Sequence, residues 1–503
     1  MRIRLSAAFL LLGLAIHGHA KATDWPMFGQ NIANTAGTTG EATITTQNVS
    51  HLKPKWIATV AGDVSARPAV VNGVVYFPDW GGNIQALGAF TGGLKWRHRL
   101  SEYGLAAGTV SRTSPAVVGG VVYIGTLGGA NLLAINAATG ALKWKTTVDT
   151  QPHAVLTGSP TVASNMVYIG VASTEEGVAA LAGYQCCVFR GSLVAVDALT
   201  GAVRWQTFMA PQNYSGTAVW GSNPVVDVTR KTVFIGTGNN YAKPTDPAYQ
   251  TCIANGGAEG ACLSPDDHVD SVVALNSTTG AIRWSKRLRD NDDWNTACFN
   301  DMPGVGNCPL GAGPDYDFGS APNEFRIGAQ TVVGAGQKSG LYSVFDANTG
   351  TMLWSQQVGP GSPMGGMMWG SATDGSRIYV SIGDSTGESY PGGTAGSWAA
   401  LDAASGQILW RTPDPHGSVD IGPLTVSNGV VFAGSMAADA GESNMLALSA
   451  ASGKILWKFP SGGSVIAGAV VSGGMLYWGS GYSHLGPPFK GSTKFYAFSI
   501  DGK

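Results

Sequence analysis

None of the six cysteines, Cys186, Cys187, Cys252, Cys262, Cys298 and Cys308, forms a Cys-x-x-Cys pair. Neither a zinc ribbon nor a covalently attached c-type haem is therefore encoded. Charge is sparse as well, at 12% of the 503 residues. The N-terminal stretch MRIRLSAAFLLLGLAIHGHAKA has an apolar run shorter than the ~20 residues of a membrane span. With Arg2 and Arg4 ahead of that run and Ala20 and Ala22 after it, residues 1–22 read as a cleavable signal peptide. The mature chain, 23–503, is then exported to the periplasm or beyond, with no membrane span. Losing Arg2, Arg4 and Lys21 leaves it mildly acidic, which makes nucleic acid and anionic membrane poor partners. In an exported chain an even number of cysteines implies disulfides. Pairing within Cys252/Cys262 and Cys298/Cys308 would close short loops worth roughly 3 kcal/mol each, although the sequence leaves the connectivity open.

What is abundant is glycine, 72 residues, and tryptophan, 15 residues. That profile belongs to many short strands joined by tight turns, an all-β chain. One pattern recurs: ALGAFTGGLKW ending at Trp96, AINAATGALKW at Trp144, AVDALTGAVRW at Trp205, ALNSTTGAIRW at Trp284, VFDANTGTMLW at Trp354, ALDAASGQILW at Trp410 and ALSAASGKILW at Trp457. Trp56 in LKPKW lacks the lead-in, and KFYAFSIDGK at the C-terminus supplies a lead-in without a Trp. Each unit reads as four strands, so the expected fold is an eight-bladed β-propeller whose two termini build one blade together. The repeat is too long for a β-helix. Each repeat Trp is expected to plug the seam between blades, the turn Gly to take a positive φ, and Asp197 and Asn276 to bond nearby turn amides.

Function should lie where units depart from the repeat. The units between Trp144 and Trp410 are swollen, and they hold all six cysteines. Three polar residues fall near strand ends there: Glu175, Asn239 and Asp317. Two carboxylates and an amide oxygen are hard ligands that suit calcium. Glu176 or Asp315 could replace its neighbour in that set, and Asn239 could be an ordinary turn residue.

The ordered motifs EEG, GYQCCVFRGSLVAVDA, VWGSNPVVD, FIGTGNNY, GPDYDFGSAP and AGQKSGLYSVFD resemble those of the pyrroloquinoline quinone (PQQ)-dependent alcohol dehydrogenases, and within them the polyvinyl alcohol dehydrogenase-like group. The resemblance spans essentially the whole mature chain. It implies PQQ and Ca²⁺ as cofactors, with Glu175, Asn239 and Asp317 on the metal, Asp317 as catalytic base and Lys338 beside the quinone carbonyls. It further implies that Arg112 and Thr157 contact the PQQ carboxylates and that Trp220 lies under the cofactor ring, with Trp369 a further contact. Cys186 and Cys187 would form a vicinal disulfide against one cofactor face, unless each bonds elsewhere. The implied activity is oxidation of alcohols, secondary alcohols or polyvinyl alcohol-like chains, by hydride transfer. Electrons would pass to a separate cytochrome c or a dye, since the chain carries no haem motif.

This chain also departs from the family. The adjacent cysteines follow the Glu loop rather than sitting in an early blade, and VDIGP and GYSHLG replace two later tryptophans. DDWN, with Asp292 and Asp293, competes with DYDFG for the base. Two rival functions stand beside the first: a cofactor-free scaffold propeller of the outer-membrane assembly type, and a quinoprotein acting on sugars or aldehydes.

Overall fold

In a computed structural model, described over residues 23–503 apart from 222, 300–305, 392, 439–440 and 442, the repeats become blades. The expected signal peptide lies outside the described residues. Eight sheets, each with four antiparallel strands at its heart, follow one another along the chain. Blades 1 to 7 span 69–99, 116–149, 161–208, 225–287, 323–357, 372–413 and 425–459. Blade 8 joins Val470–Ser472, Met475–Gly479 and Lys494–Ile500 to the N-terminal strand Leu52–Thr59. The expected closure by both termini is therefore realised, with Trp56 opposite Ala497.

The repeat tryptophans stitch the ring. Each indole N–H donates to a carbonyl of the next blade, from Trp56 to Ala89 (2.8 Å) and Trp96 to Ala137 (2.9 Å) around to Trp457 and Leu52 (3.1 Å). The turn glycine of the following blade lies beneath the ring, as Gly201 does under Trp144. A Cβ there would sit 2.8 Å from the indole, and its φ of +77° favours glycine in any case. Two constraints thus fix one residue type. Asp197 Oδ1 accepts the N–H groups of Leu199 and Thr200 (3.0 and 2.8 Å), and Asn276 Oδ1 those of Thr278 and Thr279 (2.8 and 3.1 Å), as their turns require.

Antiparallel order also sorts the loops. Connections between the second and third strands of a blade emerge at the same end of the ring as the connections from one blade to the next. The segments 174–191, 237–270 and 337–340 are of the first kind; those holding Arg112, Thr157, Trp220, Asp317 and Trp369 are of the second. Every candidate site residue thus belongs to one face. Disulfides Cys186–Cys187, Cys252–Cys262 and Cys298–Cys308 brace these loops, settling the connectivity that the sequence left open.

Candidate active site

After the strand Met166–Ser173, the chain makes one short helix, Glu175–Val178. Successive helical residues point about 100° apart, so the paired acids face different surroundings. Glu175 is wholly buried. Its carboxylate accepts the N–H of Val188 (2.9 and 3.0 Å), the N–H of Phe189 (2.8 Å) and the Tyr184 hydroxyl (2.7 Å). Glu175, expected on the metal, thus has both carboxylate oxygens engaged with the loop that carries Cys186 and Cys187.

Glu176 is half-buried, and its carboxylate has no hydrogen-bond partner among the described residues. Burial pushes it up to about 7, against the pull of Lys338 and with the push of Asp317 and Asp292. Glu176 thus lies within electrostatic reach of the residues expected to do the chemistry. Thr296 holds this helix by donating its hydroxyl to the Glu176 carbonyl (2.8 Å).

At the centre stands Lys338, buried among acids. Its ammonium lies 2.7 Å from Asp315 Oδ1 and 3.3 Å from Asp317 Oδ2. Burial alone would pull Lys338 down, yet Asp315, Asp317 and Glu176 together hold it above its ordinary value. Asp317 Oδ1 accepts the Asn239 N–H (2.6 Å) and Oδ2 the Trp220 indole N–H (2.6 Å). Gly238 is required beside them, because a Cβ there would come within 3.0 Å of Asp317 Oδ1. The Lys338 ammonium also lies 5.1 Å from the centre of the Trp220 ring. The structure therefore brings Asn239, Trp220, Asp317 and Lys338 into one contact group.

Asp315 has a left-handed backbone, φ +62°, which costs a non-glycine residue of order 1 kcal/mol or more. What holds it there is Asp292, whose two oxygens accept the N–H of Asp315 (2.8 Å) and of Tyr316 (2.6 Å). Burial, with Asp317 and Glu176 adding to it, raises the Asp315 carboxyl well above the usual range despite Lys338. Behind Asp292 lies Asp270, raised well above its ordinary value by burial and then by Asp292. Of the rival bases, Asp292 is thus engaged with backbone amides and Asp293 with the Lys243 ammonium at 2.9 Å. Sequence reading missed Asp270 altogether, as it lies in the plain-looking run DDHVDS.

Thr157, Arg112 and Trp369 connect to this group through Trp220. The Thr157 hydroxyl donates to the Trp220 carbonyl (2.8 Å), Trp369 meets Trp220 edge-on at 5.2 Å between centroids, and Arg112 lies 4.1 Å from the Trp369 ring centre. Cys187 and Trp220 pack against one apolar cluster, and the Cys186 sulfur lies 3.9 Å from Asn295 Nδ2.

A hard cation fits this donor set. Asn239 Nδ2 is spent on the carbonyls of Asn240 (2.8 Å) and Trp294 (2.7 Å). That leaves its Oδ1 without a donor among the described residues. Glu176 likewise offers unpartnered oxygens, and the acids outnumber the lone Lys338. Among the described residues no three His, Cys, Asp or Glu side chains converge at ligand spacing, so a metal here would draw on the mixed carboxylate and amide set. The half-buried indole of Trp220 between Lys338 and Trp369 offers a flat apolar face suited to a fused-ring quinone.

A family model described as outer membrane protein assembly factor BamB matches residues 53–257, 337–461 and 394–486. Polyvinylalcohol dehydrogenase of Sphingopyxis sp. (strain 113P3) is 30% identical over 510 residues, 91% of this chain and 73% of the relative. The quinohemoprotein alcohol dehydrogenase structure from Comamonas testosteroni superposes with a TM-score of 0.71 at 20% identity, covering 96% of this chain and 81% of that one. A europium-containing methanol dehydrogenase superposes at 0.69 with 16% identity, covering 95% and 98%. The two structural matches speak to the fold.

Proposed function

This chain belongs to the PQQ-dependent alcohol dehydrogenase family, and on that footing we propose that it is a periplasmic enzyme using PQQ and Ca²⁺ to oxidise secondary alcohols and hydroxyl-bearing chains such as polyvinyl alcohol. The observation that carries the proposal is the contact group of Asn239, Trp220, Asp317 and Lys338. A scaffold propeller has no use for a buried lysine set among carboxylates. Three disulfides suit an oxidising compartment, and a separate cytochrome c takes the electrons.

Bound PQQ supplies the hydride acceptor. Trp220 carries the cofactor plane, while Arg112 and Thr157 hold its carboxylates. Asp317, already aligned by two N–H donors and Lys338, accepts the alcohol proton on its carboxylate. The Lys338 ammonium stands ready to stabilise negative charge developing nearby. Glu176, the Asn239 amide oxygen and Asp317 hold the calcium ion. The Cys186–Cys187 bridge, kept in place by Glu175, covers the site and excludes water.

Protein reconstituted with PQQ and Ca²⁺ should reduce a phenazine dye with secondary alcohols and with polyvinyl alcohol. Because the acid excess also suits a trivalent ion, and a relative of the same fold is named as europium-containing, Eu³⁺ forms a second metal arm. Asp317→Asn should retain PQQ while turnover falls roughly 10²–10⁴-fold. An active Asp317→Asn with an inactive Asp315→Asn would move the base to Asp315. Failure of PQQ to bind under any metal would favour the scaffold reading, and turnover of sugars or aldehydes alone would change the donor.

A further inference from the structure

DDWN and the threonine after it, residues 292–296, serve a different part of the site at each position. Trp294 donates its backbone N–H to the Asn240 carbonyl (2.8 Å), and its own carbonyl accepts the Asn239 side-chain amide (2.7 Å). Thr296 donates its hydroxyl to the carbonyls of Glu176 (2.8 Å) and Gly177 (3.1 Å). Asn239 and Glu176, the two side chains that offer open oxygens, are thus bonded to the residues on either side of Asn295.

Asn295 itself is wholly buried. Its Oδ1 caps the short helix Thr296–Cys298 by accepting the Ala297 N–H (3.0 Å). Its Nδ2 donates to the carbonyls of Tyr241 (2.9 Å) and Asn307 (2.8 Å), with the Cys186 sulfur 3.9 Å away. Those partners decide which end of the amide carries the protons. Turned over, it would set an oxygen against two carbonyl oxygens and an NH₂ against an N–H. Aspartate has the same shape but no donor when ionised, so the last residue of DDWN is fixed as Asn by hydrogen bonding. Asn307 extends the link, because its own side-chain amide donates to the carbonyls of Ala179 (2.9 Å) and Tyr184 (2.8 Å). Both lie on the loop that carries the cysteine bridge.

We propose that Asn295 is a positioning residue, which clamps the Cys186–Cys187 loop to the loop of Asn239 and so holds the bridge in place against a bound cofactor. Among the described residues none of its hydrogen bonds runs to Trp220, Asp317 or Lys338, so it acts through the loops it joins. The inference rests on the PQQ reading for what the bridge touches, and on the hydrogen bonds alone for what holds the bridge.

Asn295→Asp keeps the shape and removes the donors. Hydrogen exchange of the full chain, read by mass spectrometry, should show segment 174–191 exchanging roughly tenfold or more faster than in the parent, the effect of buried polar groups left unpaired, while the blade strands exchange as before. Equilibrium titration with PQQ in Ca²⁺ should give an affinity weaker by a similar factor. Dye-linked turnover lost at low PQQ should return as PQQ is raised, a rescue that general damage to the fold would not show. Should Asn295→Asp fail to fold, Asn307→Ala, at a half-buried residue, breaks the same link one step away and is read in the same two ways. Unchanged exchange in 174–191 overturns the proposal. Faster exchange with parental PQQ affinity overturns it too, leaving Asn295 a loop staple with no bearing on the cofactor. If the parent protein never binds PQQ, the proposed function fails, and exchange alone then decides whether Asn295 clamps the bridge loop.

Discussion

Asp292 acts through backbone rather than through substrate. Its two oxygens receive the amides of Asp315 and Tyr316 and so set the backbone that leads into Asp317. In Asp292→Asn one acceptor becomes an NH₂ group facing an amide it used to receive. Leaving one buried amide unsatisfied costs about 1–3 kcal/mol. If that cost falls on the placement of the acids, turnover drops roughly 10- to 100-fold. Dye-linked kinetics should show the loss in kcat with KM little changed, and PQQ titration should show binding retained; a variant that lost PQQ equally would make Asp292 a fold residue only. The same scale marks how far the sequence could be read. That residues of EEG, GNN, DYD and QKS belong together was legible, because those residue types have few structural uses at strand ends. Which glutamate faces the site was not, since a step of one residue on a single helical turn swaps a loop anchor for a site-facing acid. Nor could sequence show that Asp292 serves amides more than twenty positions onward, which depends on how a long loop folds back.

The strand that opens blade 5, Asn323–Ile327, places Glu324 half-buried beside the N-terminal segment, with its N–H donating to the Ala33 carbonyl (2.9 Å). Glu324 Oε2 is buried with no partner among the described residues. Burial first, and Asp227 second, raise its carboxyl to about 7 against the pull of Arg230. Folding therefore favours the protonated acid. Its contribution is intact below the unfolded value near 4.5 and is lost as pH rises through about 7. Glu324→Gln keeps the shape and removes the charge. It should match the parent in thermal melts at pH 4 and exceed it at pH 8 by on the order of 1–3 kcal/mol; equal melting at both values would mean that solvent already relieves the charge. The inserted elements behave differently from the blades. Helices Pro247–Ala254 and Glu259–Cys262 are tied to Asp293 through Lys243, which pairs with both Asp293 and Glu259. No repeat announces such a latch, because each loop occurs once and no sister unit shows what is constant in it.

At the scale of the molecule, the ring has eight seams, and blade 8 is built from two separate stretches of the chain. Strand Leu52–Thr59 carries bonds across both neighbouring seams: Trp56 donates to Ala89, and Leu52 receives the indole of Trp457. It is held to the rest of blade 8 by noncovalent pairing with Lys494–Ile500. In a closed ring each other blade is continuous in the chain, so opening should begin where this strand can peel away, exposing an unpaired edge. Thr59 and Lys494 are directly paired, and the lysine ammonium reaches the threonine hydroxyl at 2.9 Å. A Thr59→Cys/Lys494→Cys clasp would close a loop of nearly the whole chain, for which the chain-entropy model gives more than ~4 kcal/mol. Strain takes part of that gain, so a rise of about 3 kcal/mol in unfolding free energy is expected in oxidised protein. The rise should vanish under reductant when compared with the parent treated alike. A clasped protein that unfolds as readily as the parent would place the weak seam elsewhere, with the swollen blades 3 and 4, where the disulfide-braced loops break the repeat, next in line.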